Sequence, residues 1–163
     1  IVDELKTLNS DKNWQYILGI RKPDKNQKDV ELVLRLFSLY NSWRNYEKPM
    51  LTHLNKTMNN NKMFNSKNAN SFKINFLKAT TKVKENLNKP FRPRGVINSA
   101  VLEAVMIALI EDQSIDGKHI KTRYEKLLTQ KKFMENITGG TTDTIVLQTR
   151  ISVAKRILAG HEN

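Results

Sequence analysis

An all-α fold is expected from this sequence: a single helical domain of about six to seven helices packed around two central apolar helices, at about residues 29–44 and 98–111. Three features predict it. Apolar residues recur at steps of three and four through most segments. No apolar–polar alternation of strand length occurs, and no period repeats. Clusters of Pro, Gly and Asn cut the chain into pieces of helix length. At 163 residues the chain is long enough to fold around one core without staples.

The first eight residues have helical spacing but no capping residue before them, so the chain opens inside a helix, as a fragment with a missing N-terminal domain would. Residues 13–19 read as a short apolar turn closed by Gly19, followed by loop chemistry at Arg21-Lys22-Pro23-Asp24. Asp29 is placed to cap the next helix, where Val30, Val33, Leu34, Leu36, Phe37, Tyr40 and Trp43 cover most of the circumference. Only Glu31, Arg35, Ser38 and Ser42 form a polar stripe on it. A helix this apolar belongs at the centre of a fold.

Pro49 suits the first turn of a third helix carrying Leu51, Leu54 and Met58 on one face. From about residue 71, Phe72, Phe76, Ala79, Val83 and Leu87 mark an amphipathic helix with a basic outer side. Pro90, Pro93 and Gly95 break the chain. Asn98 or Ser99 then caps the most apolar segment, in which Glu103 is the only charge before Glu111. A sixth helix is expected over residues 120–134, interrupted by Gly139-Gly140. A last one follows on Leu147, Ile151, Ala154 and Leu158, ended by Gly160.

No complete catalytic constellation emerges from this pass, and no cofactor or metal is expected. The chain lacks Cys, and its three histidines, His53, His119 and His161, stand singly, without the spacing of a zinc site. Gly139-Gly140-Thr141-Thr142 precedes a helix but has neither the strand nor the Lys-Ser or Lys-Thr pair of a phosphate loop, so an ordinary turn is expected. Glu103 invites a general acid–base reading. Burying an unpaired carboxylate costs several kcal/mol, so a structural ion network of Asp29, Glu31, Arg35 and Glu103 is the better expectation, with Arg35 as the natural partner of Glu103. The longest apolar stretch, residues 96–110, is too short to span a bilayer and no signal segment precedes it, so a cytoplasmic chain with no membrane partner is expected.

The formal net charge is +12, with a sequence pI near 9.9. A Lys- and Asn-rich composition reaches such values without any anionic partner. The distribution is more informative: residues 44–94 hold twelve Lys and Arg against Glu47 and Glu85, a net +10. Arg44, Lys48, Lys73, Lys78, Lys82, Lys89, Arg92 and Arg94 are therefore the candidate nucleic-acid contacts, with Tyr46 and Phe91 as candidate stacking groups. The arginines carry more weight than the lysines, because their forked donors match phosphate geometry. The competing explanation is a solvated lysine face of compositional origin.

Several motifs in order also resemble a known family. They are Trp14, Pro23-Asp24-Lys25, the run from Lys28-Asp29-Val30-Glu31 to Leu39-Tyr40, then Tyr46, Lys48-Pro49-Met50, Leu54-Asn55 and Met58. Phe91-Arg92, the run Asn98 to Met106 and Arg150 in the last helix complete the set. Together they resemble the helical part of the prokaryotic family typified by the S half of the GmrSD modification-dependent restriction enzymes. The resemblance implies an upstream ParB-like nuclease domain with an Asp-Gly-Gln-Gln-Arg motif, which this sequence lacks. The expected role is then a non-catalytic accessory region of a restriction or phage-defence protein, with the missing N-terminal domain of the same protein, DNA or a second copy as partner. The alternative is a helical scaffold for protein contact without nucleic-acid binding.

Overall fold

In the computed structural model, residues 1–161 are described, and over them the chain is all-helical. The order is α1 (Val2–Asn9), α2 (Lys12–Leu18), α3 (Lys28–Leu39), a 3-10 turn (Trp43–Asn45), α4 (Met50–Asn60), α5 (Lys67–Asn86), α6 (Ser99–Glu111), α7 (Gly117–Leu127), α8 (Lys131–Met134) and α9 (Thr144–Leu158). The described residues thus form nine α-helices where about six to seven were expected. Two local events make the difference. Residues 13–19 are a true helix, because the Asp11 carboxylate caps the Trp14 amide at 2.8 Å and Gly19 closes the other end at φ 70. The helix expected over 120–134 divides where the Thr129 and Gln130 amides turn to the Lys126 and Leu127 carbonyls, three residues back.

Helix α6 sits at the middle. Every residue of it from Ala100 to Ile110 is buried, and α3, α5 and α9 pack around it. A helix that is apolar on all sides is stable only when surrounded, since each fully buried Val, Leu, Ile or Met contributes roughly 1.5–3 kcal/mol relative to its exposed state. Its start is fixed by Asn98, whose Oδ1 accepts from the Ala100 and Val101 amides at 2.9 and 3.0 Å while its Nδ2 donates to the Ile137 carbonyl. On one flank α5 presents Phe72 and Phe76, and the Trp14 indole meets Phe76 edge-on at 5.3 Å.

Helix α3 is shorter than the apolar pattern implied, ending at Leu39 rather than near residue 44. Glu111, at the C-terminal end of α6, explains the stop. Its Oε1 accepts the Asn41 amide at 2.8 Å and its Oε2 accepts the Trp43 indole N–H at 3.0 Å, giving both groups a partner outside the helix. Trp43 stays buried, so its apolar character is satisfied from the 3-10 turn instead. The start of α3 also differs: Gln27, at φ 58, is the capping position, and Asp29 lies inside the first turn.

Candidate nucleic-acid interface

The expected ion network exists in part, with different membership. Glu103, 1% exposed, is held from two sides. From α3, Arg35 donates through Nε at 3.0 Å and Nη2 at 2.9 Å to Oε2. From α9, Arg150 donates through Nη2 to Oε1 at 2.5 Å, and its Nη1 donates to the Thr141 carbonyl. Both carboxylate oxygens are engaged by guanidinium groups, and the residue is sealed from solvent. Burial pulls the Arg150 guanidinium below its usual range, and the Glu103 charge opposes that pull.

Asp29 and Glu31 are outside this triad. Glu31 is exposed with no ion pair among the described residues. Asp29 is buried in a separate relay: the Trp14 indole N–H donates to Asn9 Oδ1 at 3.1 Å, and Asn9 Nδ2 donates to Asp29 Oδ2 at 2.8 Å. The Asp24 and Val30 amides also donate to the Asp29 carboxylate. Burial pushes the Asp29 carboxyl up, but the hydrogen bonds from Asn9, Asp24 and Val30 outweigh it and hold the group below its ordinary value. Asp29 is neutralised by neutral donors, which is why charge pairing did not find them. Arg150 carries a clearer signal: it is a single charge inside the apolar face marked by Leu147, Ile151 and Ala154.

Tyr46 and Phe91 do not serve as stacking groups, since both are 0% exposed. The Tyr46 hydroxyl donates to the Thr142 carbonyl at 2.6 Å; burial and the Glu103 charge both raise its pKa, so it remains a protonated donor. Phe91 packs edge-on against Tyr124, and the Phe91 amide donates to the Tyr124 hydroxyl at 2.9 Å. The Gly139–Thr142 turn follows a helix, and its Thr141 and Thr142 carbonyls face these internal donors.

The eight candidate cations divide into two groups. Four are engaged by the protein. Arg92 Nη1 donates to the Ile17 and Pro90 carbonyls at 3.1 and 2.8 Å, closing the end of α2. Lys82 donates to the Gln113 and Ile115 carbonyls just beyond α6. Lys48 pairs with Asp143 at 3.3 Å and Lys73 with Glu4 at 3.6 Å. The others, Arg44, Lys78, Lys89 and Arg94, are exposed and have no ion pair among the described residues. They are not gathered in one groove. Arg44 lies by α9, whereas Lys78 borders a cleft with Leu77, Thr81 and Gln113. A cation missed by the +10 window, Arg156 on α9, shares two adjoining clefts with Arg44.

Among the described residues no group of three or more His, Asp or Glu is arranged to hold a metal ion, and no helix is long and apolar enough to cross a membrane. His53, half-buried, shares a hydrogen bond of 2.9 Å with the Ser38 carbonyl and meets the Tyr46 ring edge-on. Comparison with family models, curated proteins and solved structures yields no match.

Proposed function

We propose that this chain is a non-catalytic helical module of a prokaryotic modification-dependent restriction or phage-defence protein, one that contacts DNA and positions an upstream nuclease-like domain. The observation that carries the DNA half is the set of exposed cations without carboxylate partners among the described residues, Arg44, Lys78, Lys89 and Arg94, on a chain of net charge +12. Such side chains contribute a sequence-independent affinity for phosphates. The non-catalytic half is supported by Glu103, the one acid suggestive of catalysis, being clamped by Arg35 and Arg150. The defence context rests on the ordered motifs from Trp14 to Met106. Fluorescence anisotropy with a labelled duplex tests the reading: affinity is expected to fall linearly on a log–log plot against salt. Absence of binding at low salt overturns it.

A second reading, a scaffold for protein contact, is favoured by a groove of about 290 Å³ lined by Val2, Leu5, Val30, Leu51, Leu54 and Met58, in which Leu51 is 70% exposed. If this reading is correct, Leu51→Glu abolishes association with the upstream domain or a second copy, as read by sedimentation, and leaves DNA binding unchanged.

A further inference from the structure

Along one side of α9, Gln148, Ser152 and Arg156 follow each other at steps of four, so their side chains share a face. Opposite them lies the 3-10 turn. Gln148 Nε2 ties the two together, donating to the Arg44 and Tyr46 carbonyls at 2.9 and 3.3 Å. The result is a groove with two connected parts, of about 310 and 460 Å³, that share Trp43, Arg44, Ser152 and Arg156.

The charge of the groove is uneven: Arg44 and Arg156 run through both parts, and the larger part sets Glu111 and Asp112 against them and Lys155. In the smaller part Arg44, Arg156 and Lys132 converge beside Thr149 and Ser152, and no carboxylate among the described residues lines it. The larger part contains Glu111, but Lys155 at 2.6 Å, the Trp43 indole and the Asn41 amide already occupy that carboxylate. Asp112 is the other acid there, and His161 stands at the same end. Two details make the smaller part a built anion site rather than a chance cluster. The Arg44 guanidinium carbon lies 4.1 Å over the Trp43 ring, a contact that orients the planar fork. The Arg156 Nε is buried and has no hydrogen-bond partner among the described residues, so the protein leaves this guanidinium incompletely satisfied.

We propose that this groove seats the phosphodiester backbone of a nucleic-acid strand, with Arg44 and Arg156 as forked donors to phosphate oxygens and Lys132 as a third charge. The site rests on the DNA-contacting reading above and moves its centre from the basic segment of residues 44–94 to the junction of Arg44 with α9. Seven residues border the groove along the eleven helical steps from Gln148 in α9 to its C-cap Ala159. At 1.5 Å per residue those steps extend about 16 Å, enough for several phosphates at the roughly 3.4 Å axial spacing of one strand. Guanidinium forks with neighbouring hydroxyls suit phosphate better than the single carboxylates of an acidic peptide. The outer face of the stacked Arg44 guanidinium also offers a plane to a base.

The test compares the wild type with two variants of equal charge in duplex-binding anisotropy: Arg44→Gln/Lys132→Gln/Arg156→Gln in the groove, and Arg21→Gln/Lys22→Gln/Lys25→Gln in the exposed loop between α2 and α3, outside it. The groove variant is expected to lose about tenfold or more in affinity and to lower the salt slope by about two to three, while the outside variant loses no more than about twofold. Equal losses in both, or a groove variant within about twofold of the wild type, overturn the inference and leave the DNA-contacting reading standing. No wild-type binding at low salt overturns both. Displacement of the duplex by polyglutamate at the same charge concentration as by tripolyphosphate also overturns it, because the groove would then lack selectivity for phosphate. Should the triple variant melt early, Arg44→Gln/Lys132→Gln, confined to exposed side chains, decides the matter with an expected loss of about fivefold or more.

Discussion

Arg150 and Glu103 meet at 2.5 Å with 0% and 2% of their side chains exposed, so a charge pair joins α9 to α6 in the interior of the molecule. Arg35 completes the group from α3 at 2.9 Å, and the Tyr46 hydroxyl approaches from the 3-10 turn through the neighbouring Thr142 carbonyl. Two cations face one anion, so the cluster retains an excess positive charge that only backbone carbonyls and the half-buried edge of Arg35 moderate. Removing the anion would therefore be far worse than removing the whole cluster.

Glu103→Gln is expected to destabilise the fold by about 3–5 kcal/mol, because Arg150 would remain buried without a counter-charge. The triple replacement Arg35→Met/Glu103→Leu/Arg150→Met should cost less than the single one, since no charge is left behind. Urea unfolding of both variants measures the difference. A Glu103→Gln protein as stable as the wild type would show that the triad carries no net energetic weight.

Asp29 supplies a pH dependence. Its carboxyl sits below its ordinary value of 3.8 in the folded chain, so the folded state binds fewer protons than the unfolded state in that range. The stabilisation is fully present above the unfolded value and is lost as pH falls through the folded one. Acid unfolding of Asp29→Asn followed by circular dichroism should therefore show reduced stability at neutral pH and a shallower dependence below about pH 4. Parallel stability curves for the two proteins would exclude this role.

Glu111 is the local reason that α3 stops. In Glu111→Gln the Lys155 pair is lost and one acceptor for Trp43 or Asn41 is weakened, with an expected cost of about 1–3 kcal/mol. The 3-10 turn should loosen first. Trp14 is fully buried elsewhere, so a change in tryptophan emission below the global transition would report on Trp43.

Gly160 stands at φ 90, and a Cβ there would meet Arg123 Nη2 at 2.8 Å. Gly160→Ala is expected to cost about 1–2 kcal/mol, part from the left-handed backbone and part from displacing the guanidinium that caps the Leu158 carbonyl at 3.0 Å. Thermal melting of that variant beside Arg123→Met separates the two contributions.

Much of this architecture was legible in the residue pattern because helix burial writes itself at steps of three and four. The all-helical class, the sealed α6 and the Arg35–Glu103 pair follow from it directly. Less legible was anything decided by a partner far along the chain. Trp43 looks like the next turn of α3 until Glu111, 68 residues later, supplies its indole with an acceptor. Asp29 looks like a cap or an ion-pair member until Asn9 reaches it from α1. The basic window could not show that Arg92 and Lys82 donate to backbone carbonyls, because a count of charges is blind to whether a carbonyl or solvent receives them. It also stopped short of Arg156, which folding brings beside Arg44 from more than a hundred residues away.

Arg92, Lys82 and Arg123 each donate to carbonyls in or just past the last turn of a neighbouring helix, so these cations act as fasteners. Being part-buried and satisfied at short range, they are poorly screened by dissolved ions, whereas cations facing solvent are screened within about 10 Å at 0.1 M salt. Ionic strength therefore acts as a selective dial on this molecule: it should weaken the hold on the proposed nucleic-acid partner while the melting temperature stays nearly level. A variant whose melting point falls steeply with added salt has exchanged a fastener for an ordinary surface charge.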